Sequence, residues 1–148
     1  MAAEIKTKIT IVVKGEHYAF DALKVRNILE LSRTTKIPNA KEFILGVINL
    51  HGNIIPVADF GLVLGKGSIT QHKECAILVV SPDDAFDSQL GFLVEEVKEV
   101  FEIKDDQILP SVVHDGAGLV ESFEGTLKHD GEFVQLINID ALISVLEK

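Results

Sequence analysis

The sequence predicts an all-β protein of two small five-stranded barrels packed side by side. Three observations carry that prediction. About ten short apolar runs follow one another at close spacing with few helical stretches, a pattern of barrels or sandwiches. Turn residues separate the runs. The chain also repeats itself: Phe20, Val25, Ile28, Leu31 and Ile37-Pro38 are matched 72 residues on by Phe92, Val97, Val100, Ile103 and Leu109-Pro110, and Glu30 by Glu102. Gly46 and Gly52 are echoed by Gly125 and Gly131 at an offset of 79, and Asp59 by Asp140. Offsets that change only between apolar runs are what loop insertions in a duplicated unit give. Two like halves present a surface or a groove between them.

In chain order, residues 1–8 are polar and read as a frayed end. Ile9 to Val13 is a β-branched strand, Lys14-Gly15-Glu16 a turn, and His17 to Phe20 the returning strand of a hairpin. Leu23 to Leu31 is ambiguous: Val25, Ile28 and Leu31 have helical spacing, whereas Leu23 and Val25 alternate. Ser32 to Asn39 is a loop, and Asn39 to Phe43 suits a short helical turn capped by Asn39. Gly46 to Asp59 holds two strands around His51-Gly52-Asn53. Pro56 cannot donate to a ladder and so implies an edge or a bulge. Phe60 to Leu64 closes the unit as a short helix, and Gly65 to Ser68 links the copies.

The second copy opens on Cys75 to Val80, a buried strand. Pro82-Asp83-Asp84 begins a turn, and strands return at Leu90 to Val94 and through Phe101 to Ile103. Ser111 to Gly118 reads as a mobile loop. A hairpin turn at Lys128 to Gly131, a strand over Phe133 to Ile139 and a C-terminal helix over Asp140 to Leu146, capped by Asp140, complete the chain. We expect a single domain over 1–148, with subdomains at 9–68 and 69–148. Neither half has enough core to stand alone.

Composition narrows the function. Apolar residues make up 47% of the chain, enough for a sizeable core. A net charge of −9 without a basic cluster argues against nucleic acid or an anionic membrane surface as partner. The single Cys75 excludes an internal disulfide and fits a reducing compartment. No signal peptide is visible, and runs such as Phe43 to Leu50 fall far short of the roughly 20 residues of a membrane helix. We therefore expect a cytoplasmic protein. Met1 and the polar Glu147-Lys148 read as the ends of a complete chain.

Chemistry-bearing patterns are missing from the sequence. His17, His51, His72, His114 and His129 form no metal-ligand spacing, and all but His51 read as solvated residues. Cys75 reads as a small core residue. Gly65 to Ser68 lacks the spaced glycines of a phosphate loop. Asp83-Asp84, Glu95-Glu96 and Asp105-Asp106 are adjacent pairs, which a strand sends to opposite faces. No catalytic residue, metal or cofactor is expected. Val25, Ile28, Val97 and Val100 are either core or the two walls of a docking groove, related by the repeat.

The stretch Phe43-Ile44-Leu45-Gly46-Val47-Ile48-Asn49-Leu50-His51-Gly52-Asn53-Ile54-Ile55-Pro56-Val57-Ala58-Asp59 resembles the signature of the CheW family, the adaptor of bacterial chemotaxis. Ile37 to Ala40 and Gly91 to Val97 fit as well, and the likeness runs from Ile9 to Leu146. The resemblance implies SH3-like barrels sharing a core. It implies a non-enzymatic scaffold that couples chemoreceptors (methyl-accepting chemotaxis proteins) to the histidine kinase CheA. By motif position the receptor's helical tip would contact Val25, Ile28, Gly46, Asn49, Leu50, His51 and Val97. The kinase's regulatory domain would pair with the second barrel, coarsely around Ser111 to Leu119.

One residue departs from the family pattern, which usually has arginine at His51. Arginine is a fixed charge with a rigid fork; histidine has two ring nitrogens and is largely neutral at pH 7. Three other readings remain open: a CheW-like adaptor of twitching or gliding motility, a small-molecule-binding cleft or enzyme, and a fragment of a larger kinase or receiver fusion.

Overall fold

A computed structural model describes residues 5–31, 33–81, 89–109 and 123–146. Among the described residues each copy of the repeat contributes five strands and an α-helix. The first holds β1 (Ile5–Val13), β2 (Glu16–Asp21), β3 (Val25–Glu30), β4 (Ile44–Leu50), β5 (Asn53–Asp59) and α1 (Phe60–Val63). The second holds β6 (Ala76–Val80), β7 (Leu90–Val94), β8 (Glu96–Lys104), β9 (Phe123–His129), β10 (Glu132–Ile137) and α2 (Ile139–Leu146). The hairpin turns Lys14-Gly15, His51-Gly52 and Asp130-Gly131 have positive φ at both residues, the type I′ geometry whose twist matches the flanking strands.

The strands form two five-stranded sheets, ordered β8-β1-β2-β10-β9 and β3-β6-β7-β5-β4. Each copy therefore lends its first two strands to the other copy's sheet. This corrects the expectation of one barrel per half. Neither sheet is a contiguous stretch of chain. The exchange is held where the copies cross, by Ser81 N donating to Lys24 O and Glu95 N to Val12 O.

Each sheet closes on itself through an isolated bridge. Thr35 and Val47 exchange N–H···O bonds of 2.9 and 2.8 Å, and Leu109 and Thr126 bonds of 2.7 and 2.8 Å. Gly46 and Gly125 sit beside these bridges. A Cβ on Gly46 would lie 2.4 Å from Thr35 O, and one on Gly125 2.5 Å from Leu109 O. The closing strands thus pass where only a hydrogen fits.

The shared core lies between the sheets. Phe20 and Phe92, mates in the repeat, meet at 5.9 Å between ring centroids, and Phe60 packs against both at 5.4 and 5.1 Å. The helix α2 buries Ile139, Leu142, Ile143 and Leu146 in the same cluster, a stripe at helical spacing. A smaller cluster of Ala19, Ile103, Leu127, Val134 and Leu136 fills the first barrel.

Local expectations are corrected in four places. The strand β1 begins at Ile5, because residues 5–8 pair with β8 and bury Lys8, whose Nζ lies 3.4 Å from a Glu124 carboxylate oxygen. Asn39 heads no helix: its φ is +62°, and only a turn follows. Asn138, not Asp140, accepts at its side chain from Ala141 N (3.1 Å), so the mate of Asp59 is Asn138, at the same offset of 79 as the glycines. Pro56 lies on the interior strand β5, next to a register shift in its pairing with β4, so of the edge or bulge expected there only the edge is corrected. It pairs with Val47, whose N–H and C=O turn the other way to Thr35, and β5 begins to pair with β7 only at Val57, so its missing N–H breaks no ladder bond. The turn at Pro82-Asp83-Asp84, the loop Ser111 to Gly118 and His114 lie outside the described residues.

Candidate interaction groove

A strand shows alternate residues on one face, so Val25 and Ile28, three apart, should point opposite ways. A bulge prevents this. Between Val25 and Asn27 the β3–β6 register shifts, leaving Arg26 as the extra residue. That explains the helical spacing in an extended segment. The repeat mate Lys98 is the extra residue of an equivalent bulge in β8, between Val97 and Glu99.

Val25 and Ile28 line a groove of about 340 Å³ at the seam between the sheets, with Arg26, Asn27 and Ala22 beside them. Val100, the repeat mate of Ile28, lines the same groove with its ladder partner Ile9. Ile28 is 50% exposed and Val100 59%. An exposed isoleucine facing an exposed valine can do one thing chemically, which is to bury itself against another apolar surface. Full burial of such a side chain contributes about 1.5–3 kcal/mol, and covering the exposed half that remains contributes roughly half of that.

The other predicted residues lie apart from this cavity. Val97 is half-buried and packs against the main core, as Leu50 does. Gly46 is buried against the Thr35 bridge. The Asn49 side chain accepts from Gly52 N at 2.9 Å and so holds the hairpin turn. His51 is exposed on that turn with φ +52°. The segment Ser111 to Leu119 lies outside the described residues. Sequence reasoning weighed Val100 but left it out of the site, although the offset of 72 pairs it with Ile28.

Asp59 entered the sequence analysis only as a mate in the repeat; in the structure it caps α1 and reaches beyond it. It is fully buried. One carboxylate oxygen accepts from Gly61 N (2.9 Å) and Leu62 N (3.3 Å), the other from the Ser68 hydroxyl and Ile69 N (both 2.9 Å). It joins α1 to the segment between the copies.

A sequence model of the CheW-like domain matches residues 8–147. The chain belongs to the CheW-like domain family. Chemotaxis protein CheW of Thermotoga maritima is 34% identical over 135 residues, covering 91% of this chain and 85% of its own length. That of Bacillus subtilis is 28% identical over 148 residues, covering 97% and 92%. The crystal structure of scaffolding protein TtCheW from Thermoanaerobacter tengcongensis matches with a TM-score of 0.81 and 30% identity, over 96% of this chain and 88% of that one. A CheW-like domain of this kind is not an enzyme. Among the described residues no helix is long and apolar enough to cross a membrane.

Within the CheW-like frame, His51 stands in a backbone conformation that histidine adopts more readily than most residues. His51→Arg is expected to cost less than about 1 kcal/mol in stability, as measured by urea unfolding.

Proposed function

We propose that the chain is a chemotaxis scaffold that holds the signalling tip of a chemoreceptor beside the kinase CheA. The receptor's helical hairpin lies along the groove, with Val25, Ile28 and Val100 as its apolar anchors. The observation that carries this reading is that β3 and β8, mates in the repeat, offer exposed apolar side chains to one seam. A helix packs on such a seam through side chains at i, i+3, i+4 and i+7. A few central anchors then supply most of the affinity. The near-full-length chemotaxis relatives favour this pathway over other forms of motility. Kinase contact belongs to the second half of the chain, around Ser111 to Leu119. Signalling is a change in the relative placement of the two partners.

The test is a pull-down with a receptor tip and the CheA regulatory domain from the same genome. Val25→Glu places a charge in an apolar groove, which is costly once the partner excludes water. It is expected to lose receptor binding and keep kinase binding. Because Val25 also packs on the core, Ile28→Glu at a half-exposed position serves as the cleaner variant. Loss of both partners by a folded Ile28→Glu, or retention of both, would contradict the proposal.

A further inference from the structure

A second cavity, of about 510 Å³, opens on the first barrel and shares no lining residue with the groove. His17, Glu96, Glu99, His129, Asp130 and Glu132 line it, with Lys98 as the one fixed cation among the described lining residues. Its base touches the barrel's small apolar cluster through Val134.

The fold brings three donors together at one point. The Glu99 backbone is fixed by the Thr10 hydroxyl, which donates to Glu99 O and accepts from Glu99 N, both at 3.1 Å. The His129 ring is fixed by stacking on Phe101, with centroids 4.1 Å apart and planes 10° apart. Its Nε2 then lies 2.6 Å from Glu99 Oε1 and 3.5 Å from Asp130 Oδ2. All three donor atoms fall within 4.8 Å of one another.

Donors around a tetrahedral cation with bonds of about 2.0–2.2 Å stand roughly 3.3–3.6 Å apart. The Asp130 oxygen is already at that spacing from the imidazole, and the Glu99 oxygen needs to retreat by less than about 1 Å. A second imidazole, His17, lines the same cavity, with its Nε2 3.8 Å from Glu132 Oε2.

We infer that Glu99, His129 and Asp130 bind a divalent first-row transition cation, Zn²⁺ foremost, with His17 and solvent available to complete the coordination. Imidazole and carboxylate donors suit that class of ion. The bound ion would tie β8 to the β9–β10 turn. Sequence spacing hides the site, because Glu99 and His129 are 30 residues apart on different strands.

The test uses the tag-free full chain, stripped with a chelator and titrated with Zn²⁺ by calorimetry and with Co²⁺ by visible absorption. One ion per chain is expected. His129→Gln and, separately, Glu99→Gln, both at partly exposed positions, should weaken uptake at least about tenfold. His72→Gln, outside the cavity, should leave it unchanged. The inference is overturned if the native chain shows no saturable uptake, or if uptake is unmoved by His129→Gln.

Discussion

Replacing Asp59 with alanine is expected to lower the unfolding free energy by about 3–5 kcal/mol, a large fraction of the roughly 5–15 kcal/mol that holds an ordinary domain folded. Four donors converge on this buried carboxylate: two N–H groups of α1, the Ser68 hydroxyl and Ile69 N. Hydrogen bonds to a charged acceptor contribute about 1.5–3 kcal/mol each. The desolvation cost of the carboxylate offsets part of that sum, so the net loss is smaller than four such bonds. Alanine leaves the buried N–H groups of Gly61 and Ile69 without a partner. Asparagine is no rescue, because its amide NH₂ would face either the helix N–H groups or Ile69 N, donor against donor. Urea unfolding measures the loss. A decrease under about 1 kcal/mol would mean that the carboxylate is not the joint described above.

Gly46→Val should cost about 3 kcal/mol or more and should open the second sheet at its closing bridge. The added Cβ would stand 2.4 Å from Thr35 O and 2.7 Å from Thr35 C, both backbone atoms, so no flexible side chain can give way. Relief requires Thr35 and Val47 to part. Their amide hydrogens should then exchange much faster, while the core strand β6 keeps its protection. Gly125→Val is the matched experiment on the other sheet, against Leu109 O. Unchanged protection at Thr35 and Val47 in a folded Gly46→Val protein would show that the bridge does not close the barrel.

Much of the architecture was legible because the repeat is written in apolar residues. The 72-residue offset pairs Phe20 with Phe92 and Ile28 with Val100, and both pairs lie at the seam. An offset says which strands are equivalent, not which sheet they join, and so the exchange of β1-β2 and β6-β7 between copies was invisible. The ambiguity at Leu23 to Leu31 had a physical cause: a three-residue spacing on one face is how a bulge looks in sequence. Asp140 was taken for a cap because aspartate is a strong cap former, yet Asn138 fills that position equally well chemically.

Legibility of the candidate site divides along the same line. Val25 and Ile28 were singled out both by their place in the repeat and by the family motif, and they line one cavity. The residues Gly46, Asn49 and His51 came with the family signature, and in the structure Gly46 and Asn49 shape a barrel bridge and a hairpin turn. A signature records what the fold needs as well as what partners touch.

The most direct test of the central claim, that the seam between the sheets grips the receptor, is methyl NMR of the isoleucine, leucine and valine side chains during titration with a receptor tip. The largest shifts are expected at Ile28, Val100 and Val25, with Ile54, exposed on β5 outside the groove, left unmoved. Shifts concentrated at Leu50 and Ile54 beside the β4–β5 turn, with Ile28 and Val100 silent, would contradict it.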